Sequence, residues 1–366
     1  METARPVLFL FKSGRLDRLA EKGPREFFYG FSELERLGPR AELVEEENLP
    51  QPGLNGWPER LATRFLDPLA GLNAGTLARL STRPALTRLN QASAIVATTN
   101  AQGLALGALK FLGLLAPPVL FLPMGVWPFR AGFLRRAWLA RWLGQLALAP
   151  ISRSEAAWLK RQLGIQADIG YLPFGVDTHF WTPSPTEVEG DYVFSIGNDR
   201  HRDWTGLAAA WSADLPPLKL VTRRPVPPSS GRLEVLAGDW TQRPISDQGI
   251  RQFYREALFV VLPIQETIQP SGQSACLQAM ACGKAVILSK IAGLWDDELL
   301  KDGETCLLVP PGDEAALAAA AKKLAENPQL CDRLGSAARQ LVTQRFTIER
   351  MGEALLARLH VLMAQS

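Results

Sequence analysis

The stretch SGQSACLQAMACGKAVIL, residues 271–288, decides the fold that the sequence predicts. From about Ser274 it carries the small and apolar residues of a tightly packed helix, and Gly283 is typical of a helix end. Ala285 to Leu288 then has the composition of a buried strand. A helix that leads directly into a buried strand is the repeating unit of a parallel α/β sheet.

The same alternation of strands and helices continues on both sides of this stretch. Strands are predicted at residues 6–11, 40–45, 94–99, 119–122, 170–174, 192–196, 218–222, 233–236, 259–262, 285–288 and 306–309. Between the two halves, GVDTHFWTPSP at 175–185 is rich in turn residues and is typical of a linker. We therefore predict two Rossmann-like parallel-sheet domains of the α/β class, facing a central cleft in which a ligand binds at the carboxyl ends of the strands.

Composition excludes several classes of protein. The chain has 366 residues, 47% apolar and 21% charged, which is ordinary for a globular protein of two domains. Its four cysteines form no CxxC pair and its three histidines belong to no metal motif, so we expect free thiols in a reducing compartment and no metal site. No apolar stretch has the length of a signal peptide or of a membrane span, which favours a cytoplasmic protein.

The charge is unevenly distributed. No acidic residue lies between Asp67 and Glu155, and this segment has a charge of +9 while the whole chain has +3. Such a segment predicts a cationic surface with an anionic partner, the alternative being a solvated basic face without one. Within it, residues 125–148 interleave aromatic rings and arginines, as helices on anionic membrane surfaces do. The candidate membrane-contact residues are Trp127, Phe129, Arg130, Phe133, Arg135, Arg136, Trp138, Arg141 and Trp142. The alternative is a core helix that buries Trp and Leu.

The loop PIQETIQPSGQ, residues 263–273, leads to the amino terminus of the helix in the opening stretch. The free N–H groups and the dipole of a helix amino terminus favour an anion there. Gly272 and Ser274 allow close approach of a ligand, and Gln278, one turn further in, can exchange hydrogen bonds with hydroxyl groups. This arrangement suits a sugar phosphate or a nucleotide, the alternative being a packed helix with a solvated Gln278.

Three segments carry a family resemblance. Residues 271–330, together with YLPFGVDTHFWTP at 171–183 and FSIGNDRHRDWTGLAAAW at 194–211, resemble the retaining GT-B glycosyltransferases of family 4. The resemblance is strong from about Tyr171 to Asn327 and loose before that. It implies transfer of a sugar from a nucleotide-diphosphate sugar, with retention at the anomeric carbon and without a metal ion or other cofactor.

The resemblance also implies a donor site, with departures from the family pattern. Family members have acidic residues where Pro270 and Gln278 stand here, and Glu266 is a candidate replacement for the first. The family's diphosphate-binding Arg and Lys correspond to Asn198 and Arg202, and Arg200 is a candidate for the second charge. The alternative for Arg202 is an ion pair with Asp199 or Asp203. The candidate donor-binding residues are Gly197, Asn198, Arg200, Arg202, Thr222, Glu266, Gly272, Gln273, Ser274 and Gln278.

The acceptor side departs from the family as well. Family members often carry a histidine in the amino-terminal domain, but this chain has none before His179, and Thr99 and Asn100 occupy that neighbourhood. The resemblance implies front-face transfer, in which the leaving diphosphate takes the acceptor proton and no protein base is required. The candidate catalytic residues are Arg202, Asn100 and Glu26, with a first-turn helix acid as the alternative role of Glu26 in a helix predicted over 26–37.

The sequence thus predicts an acceptor domain at 1–178, a donor domain at 179–345 and a last helix at 346–366 that crosses back to the first domain. The predicted function is a retaining glycosyltransferase that uses a UDP-sugar more readily than a GDP-sugar. The acceptor would be a membrane lipid or lipid-linked glycan, and the enzyme would lie on the inner face of the membrane and bind no nucleic acid. The alternatives are a GT-B relative that acts on phosphorylated sugars without a nucleotide, and a non-catalytic protein that binds anionic membrane surfaces.

Overall fold

The structure is a computed structural model that describes residues 5–21, 23–50, 70–128, 130–164, 167–186, 190–238 and 244–365. Its internal contacts divide the chain into two compact units. Unit 1 comprises residues 1–173 and 349–366, and unit 2 comprises residues 174–348. The boundaries therefore fall at 173 and 349, where the sequence suggested 178 and 346.

Unit 1 is built on a five-stranded parallel sheet with the order β2-β1-β3-β4-β5. The strands are β1 (Val7–Phe11), β2 (Ala41–Glu45), β3 (Ala94–Ala97), β4 (Val119–Phe121) and β5 (Ala147–Leu148). The helices are α1 (Arg15–Ala20), α2 (Phe31–Leu37), α3 (Ala74–Leu80), α4 (Arg83–Asn90), α5 (Asn100–Phe111), α6 (Phe133–Leu143) and α7 (Arg153–Leu163). Strands β1, β3 and β4 are buried along their whole length, as expected when helices cover both faces of a parallel sheet.

Unit 2 repeats this plan with a six-stranded parallel sheet of order β11-β10-β9-β6-β7-β8. The strands are β6 (Val193–Ile196), β7 (Leu218–Thr222), β8 (Leu233–Ala237), β9 (Val260–Leu262), β10 (Val286–Ser289) and β11 (Leu307–Val309). The helices are α8 (Trp204–Ala210), α9 (Asp247–Glu256), α10 (Gln273–Ala281), α11 (Glu314–Ala325) and α12 (Pro328–Arg345), and α13 (Ile348–Ala364) follows them. The predicted class, two Rossmann-like parallel-sheet domains, is confirmed.

Two predicted elements of unit 1 are wrong. The helix predicted over 26–37 is a 3-10 helix (Arg25–Phe28) and a separate α2, because Tyr29 and Gly30 between them have positive φ angles of 50° and 85°. A Cβ atom at position 30 would lie 3.0 Å from Leu355 Cδ2, so the interruption allows α13 to pack closely. The strand predicted at 170–174 is also absent, since the last strand is β5, which Ile169 meets through a single bridge.

Candidate functional site

The guanidinium group of Arg202 lies buried at the carboxyl edge of the unit 2 sheet. Arg202 is 6% exposed and is placed between two glycines. A Cβ atom on Gly197, directly after β6, would collide with Arg202 Nε, and a Cβ atom on Gly272 would lie 3.1 Å from Arg202 Nη1. Both glycines have positive φ, 156° and 79°, a conformation that L side chains rarely adopt. Glycine is therefore required at both positions to bring the backbone against this side chain.

Arg202 stands beside the amino terminus of α10, since Gly272 is the N-cap residue of that helix and supplies no capping side chain. The first N–H groups of a helix lack intrahelical partners and carry a partial positive charge. Arg202 Nη1 is buried and has no hydrogen-bond partner among the described residues. A buried cationic donor next to a helix amino terminus is an arrangement that binds phosphate oxygens.

Asp199 holds Arg202 in this position. Its Oδ2 lies 2.9 Å from Arg202 Nε, while its Oδ1 accepts hydrogen bonds from the Ser271 hydroxyl at 2.6 Å and the His201 N–H at 3.0 Å. The ion pair that the sequence left open as an alternative is therefore present. It occupies the Nε side of the guanidinium and leaves Nη1 available, so that the ion pair and an anion-binding role are compatible.

Asn198 and Thr222 link the ends of three neighbouring strands. Asn198 Nδ2 donates to the Gly238 carbonyl at 2.8 Å, and its Oδ1 accepts from the Arg223 N–H at 2.8 Å. The Thr222 hydroxyl donates to the Gly197 carbonyl at 2.7 Å. These bonds fix the loop after β6, so the two side chains support the anion site through the backbone of Gly197.

Arg200 and His201 lie on the outer side of the same loop. Arg200 is exposed, and its Nε donates to His201 Nε2 at 3.1 Å. Burial, and next the charge of Arg200, lower the pKa of His201. A neutral imidazole is the form that can accept this hydrogen bond. Arg200, the candidate for the second phosphate-binding charge, is thus a solvent-exposed side chain in the same loop as Arg202.

The polar residues of α10 form a buried row. Gln273 and Gln278 are 3% and 7% exposed. Gln278 Nε2 donates to Ser274 Oγ at 3.2 Å, and the Tyr254 hydroxyl lies 3.4 Å from Gln278 Oε1. The amide is therefore packed between hydroxyl groups and is not solvated, and its donor-site role stays a prediction.

Glu266 has a structural contact. It is exposed, and its Oε1 accepts the Ala292 N–H at 2.8 Å, so it ties the loop after β9 to the loop after β10. The same two loops are joined by the Gly293 N–H, which donates to the Thr267 carbonyl at 2.8 Å. A carboxylate with this bond can still receive a second donor, so the donor-site role of Glu266 stays a prediction.

The catalytic candidates of unit 1 are Asn100, which is half-buried, and Glu26. Asn100 follows β3, and its side chain bonds both backbone groups of Met124, with Nδ2 at 2.9 Å from the Met124 oxygen and Oδ1 at 3.0 Å from its nitrogen. Because this amide is engaged with backbone, the structure places Asn100 as a support of the loop after β4. Glu26 is fully buried in the 3-10 helix, at its first turn, and its role on the acceptor side stays a prediction.

One polar residue of unit 1 was missed by the sequence interpretation. Glu155, at the first turn of α7, is 1% exposed, and its Oε1 accepts the N–H groups of Gly125 at 2.7 Å and Val126 at 3.2 Å. Burial raises its pKa to about 7. The available signal was the S-x-x-E pattern that begins at Ser152, which predicts a local capping box and gives no hint of a partner 30 residues away.

The predicted membrane-contact residues divide into two groups. Phe133 is 84% exposed and Trp138 is 39% exposed, and Arg130, Arg136 and Arg141 are exposed as well. Arg135 is half-buried, and Phe129 lies outside the described residues. The prediction of membrane contact is wrong for Trp127 and Trp142, because they are only 3% and 6% exposed and pack in the core of unit 1.

Among the described residues, no helix combines the length and the hydropathy that crossing a membrane requires. In the same part of the chain, no three His, Cys, Asp or Glu side chains are grouped so that they could hold a metal ion. The expectation that the protein uses no metal or other cofactor stays a prediction.

Part of unit 2, including this site's helix, is similar to a family of known proteins. Residues 236–327, which include α10 and its preceding loop, match the family model described as Glycosyl transferases group 1. The resemblance of the chain to GT-B glycosyltransferases of group 1 is confirmed, whereas membership of family 4 stays a prediction. The curated alpha-maltose-1-phosphate synthase of Mycobacterium tuberculosis is 26% identical over an alignment of 213 residues, and the match covers 50% of this chain. The chain thus matches about half, 54%, of the length of that relative.

Solved structures share the fold over almost the whole chain. The sucrose-phosphate synthase of Thermosynechococcus elongatus has a TM-score of 0.74 at 18% identity, with 99% of this chain and 100% of that chain covered. HepE of Anabaena, in complex with UDP and glucose, has a TM-score of 0.67 at 16% identity over 98% of this chain and 100% of its own. At these identities the likeness defines the fold, which is GT-B.

Proposed function

We propose that the protein is a retaining glycosyltransferase that transfers a sugar from a nucleotide-diphosphate sugar, most readily a UDP-sugar, to a membrane lipid or a lipid-linked glycan. The observation that carries the donor part is the buried guanidinium of Arg202, held between Gly197 and Gly272 at the amino terminus of α10. The family match over 236–327 and the structural neighbour HepE, described in complex with UDP-glucose, support the same assignment.

In the proposed reaction, Arg202 and the first N–H groups of α10 bind the diphosphate. As the bond from the anomeric carbon to the diphosphate breaks, negative charge grows on the leaving oxygen, and a fixed cation stabilises it without reorganisation. The leaving diphosphate takes the proton of the acceptor hydroxyl, so the absence of a protein base at Asn100 or Glu26 is compatible with this chemistry. Gln278 and Ser274 would meet the ribose hydroxyls.

The donor site is tested by calorimetric titration of the whole protein with UDP, GDP, ADP and inorganic phosphate. We expect one nucleoside diphosphate to bind, and Arg202→Ala to weaken it by about tenfold to a hundredfold, the loss typical of charge-assisted hydrogen bonds. Arg333→Ala removes an exposed guanidinium from the same unit and is the matched control. Binding that Arg202→Ala leaves within about twofold would refute the site, and a wild type that binds no nucleotide would favour the non-catalytic alternative.

The lipid part of the proposal rests on an exposed surface of unit 1, here called the α6 surface. It consists of Phe111, Leu112, Leu114, Phe133, Leu134, Trp138 and Arg141. Leu112 and Leu134 are 62% and 60% exposed, and the Arg141 guanidinium lies over the Phe111 ring at 4.5 Å. Exposed apolar side chains of this size, in a segment of +9 charge without an acid, suit the surface of an anionic bilayer. This surface would bring the enzyme to the inner face of the cytoplasmic membrane.

The membrane contact is tested by sedimentation with vesicles of phosphatidylglycerol and phosphatidylcholine. We expect the wild type to bind anionic vesicles and to be released by salt, and the double variant Phe133→Ser, Leu134→Ser to lose binding. The matched control is Val235→Ser, which changes an exposed apolar side chain of unit 2. Equal binding of all three proteins to anionic vesicles would remove the α6 surface from the proposal.

A further inference from the structure

The loop from Met124 to Trp127 leaves the carboxyl end of β4 and is held by side chains through its backbone. Asn100, at the start of α5, bonds the N–H and the carbonyl of Met124. Glu155 accepts the N–H groups of Gly125 and Val126, and Trp158 Nε1 donates to the Trp127 carbonyl at 3.1 Å. Five backbone groups of four consecutive residues are thus fixed from two helices.

This loop lies at the carboxyl edge of a parallel sheet, where ligands bind. Its first residue, Met124, is half-buried, and the Met124 sulfur lies 3.9 Å from the hydroxyl of Tyr29. In the described part of the chain, Tyr29 is the one residue other than glycine whose φ angle is positive, at 50°. A strained backbone next to a rigidly held loop is typical of a ligand-binding edge.

Glu155 is an unfavourable choice for packing alone. Its carboxyl is buried, and its Oε2 has no hydrogen-bond partner in the described residues. A glutamine could accept the same two N–H bonds without a buried charge, so retention of an acid here costs stability. Two neutral groups also bond the loop backbone: the Asn100 amide from α5 and the Trp158 indole from α7. Arg153 of the same helix lies over the Tyr171 ring at 5.0 Å.

We propose that Asn100, Glu155 and Trp158 are positioning residues that hold the loop 124–127 rigid as the acceptor-binding element of unit 1. This inference rests on the proposed function, because unit 1 is the acceptor unit only if unit 2 binds the donor. None of the three side chains contacts a reacting atom in this role. They act through the loop backbone, so their loss would change acceptor binding and would leave the donor site of unit 2 intact.

Hydrogen exchange of the whole protein, followed by mass spectrometry on peptides that cover residues 121–128, tests the positioning role. We expect Glu155→Ala and Asn100→Ala each to speed exchange of the loop amides by about tenfold or more, since each leaves backbone groups without partners. Glu155→Gln keeps an oxygen in place and should restore protection to within about threefold of the wild type. The matched control is Glu46→Gln, which neutralises a buried acid of unit 1 bonded to Thr76 and Gln102.

Transfer from radiolabelled UDP-glucose to phosphatidylglycerol vesicles containing diacylglycerol gives the second readout. We expect Glu155→Ala to raise the KM for lipid with UDP binding unchanged by calorimetry, and Glu155→Gln to rescue it. Loop exchange in Glu155→Ala equal to that of the wild type, or no rescue by Glu155→Gln, would overturn the inference. A wild type that binds no UDP would refute the proposed function instead, and the exchange result would then decide the positioning role by itself.

Discussion

Replacing Glu155 by glutamine is expected to raise the stability of the variant relative to that of the wild type as the pH rises from 5 to 8. The carboxyl is 1% exposed, and burial is the largest influence on its pKa, which is raised from 4.5 to about 7, while the N–H groups of Val126 and Gly125 act in the opposite direction. Between pH 4.5 and pH 7 the folded chain therefore holds this proton more tightly than the unfolded chain does. Linkage requires the free energy of unfolding to fall as the pH rises through this range.

The magnitude follows from the shift in pKa. One pKa unit corresponds to about 1.4 kcal/mol, so ionisation of Glu155 costs about 3 kcal/mol of folding free energy above pH 7. Glutamine does not titrate, and its NH2 group would stand where Oε2 has no partner in the described residues, at a cost of about 1–3 kcal/mol that is the same at every pH. The difference in unfolding free energy between variant and wild type should therefore change by about 2–3 kcal/mol between pH 5 and pH 8.

Urea denaturation followed by circular dichroism, at pH 5, 6, 7 and 8, measures this difference. The pH-dependent part isolates the ionisation, because the cost of the unpartnered amide does not vary with pH. A difference that is constant across these pH values would refute the reasoning, as would one that decreases toward pH 8. Either result would mean that burial does not raise the pKa of the Glu155 carboxyl in the folded protein.

Two further perturbations have expected outcomes. Gly197→Ala should abolish UDP binding in calorimetry, because its Cβ atom would collide with the Arg202 guanidinium at a backbone φ of 156°. Gly132→Ala, at a position where a Cβ atom meets nothing, is the control. Binding of UDP that Gly197→Ala retains would contradict the placement of Arg202 between the two glycines. Burial raises the pKa of the Cys282 and Cys306 thiols to about 12 and that of half-buried Cys331 to about 11, and it also raises that of Cys276. Ellman's reagent at pH 8 should therefore label the native protein slowly, and only at Cys331, but should label all four thiols in denaturant.

The sequence predicts the sheets well because their signals are local. Buried strands of parallel sheets are apolar runs, and Gly283 after α10 and Asp313 before α11 mark helix ends within a few residues of the chain. Arg202 was named because of the family resemblance, since it stands at the position of the family's phosphate-binding Lys. The sequence did not predict β5, because a strand of two residues is too short to carry a periodic pattern.

The roles of Asn198, Asn100 and Glu155 could not be predicted, because their partners are distant in the sequence. Asn198 bonds the Gly238 carbonyl, 40 residues away in the sequence. The sequence does not show that the strands before these two residues lie near each other in the sheet. Trp127 and Trp142 were assigned to a membrane surface for a related reason. An aromatic residue among arginines has the same local pattern whether its ring packs inward or faces solvent, and the choice depends on which helix covers it.

The departure of Gln278 from the acidic residue of the resembling family leads to the last prediction, Gln278→Glu. The side chain lies between Ser274 and Tyr254, whose hydroxyls can both donate to a carboxylate. If position 278 meets the ribose, a carboxylate should bind the ribose hydroxyls more strongly than the amide does, since charge-assisted bonds are about twice as strong. We expect UDP to bind about tenfold more tightly and inorganic phosphate to bind no better, because phosphate lacks the ribose and is repelled by the new charge. Gln252→Glu, on α9, controls for the added charge. Unchanged UDP affinity would mean that the polar row of α10 packs the helix and does not face the nucleoside, and the donor site would then reduce to Arg202 and the helix amino terminus.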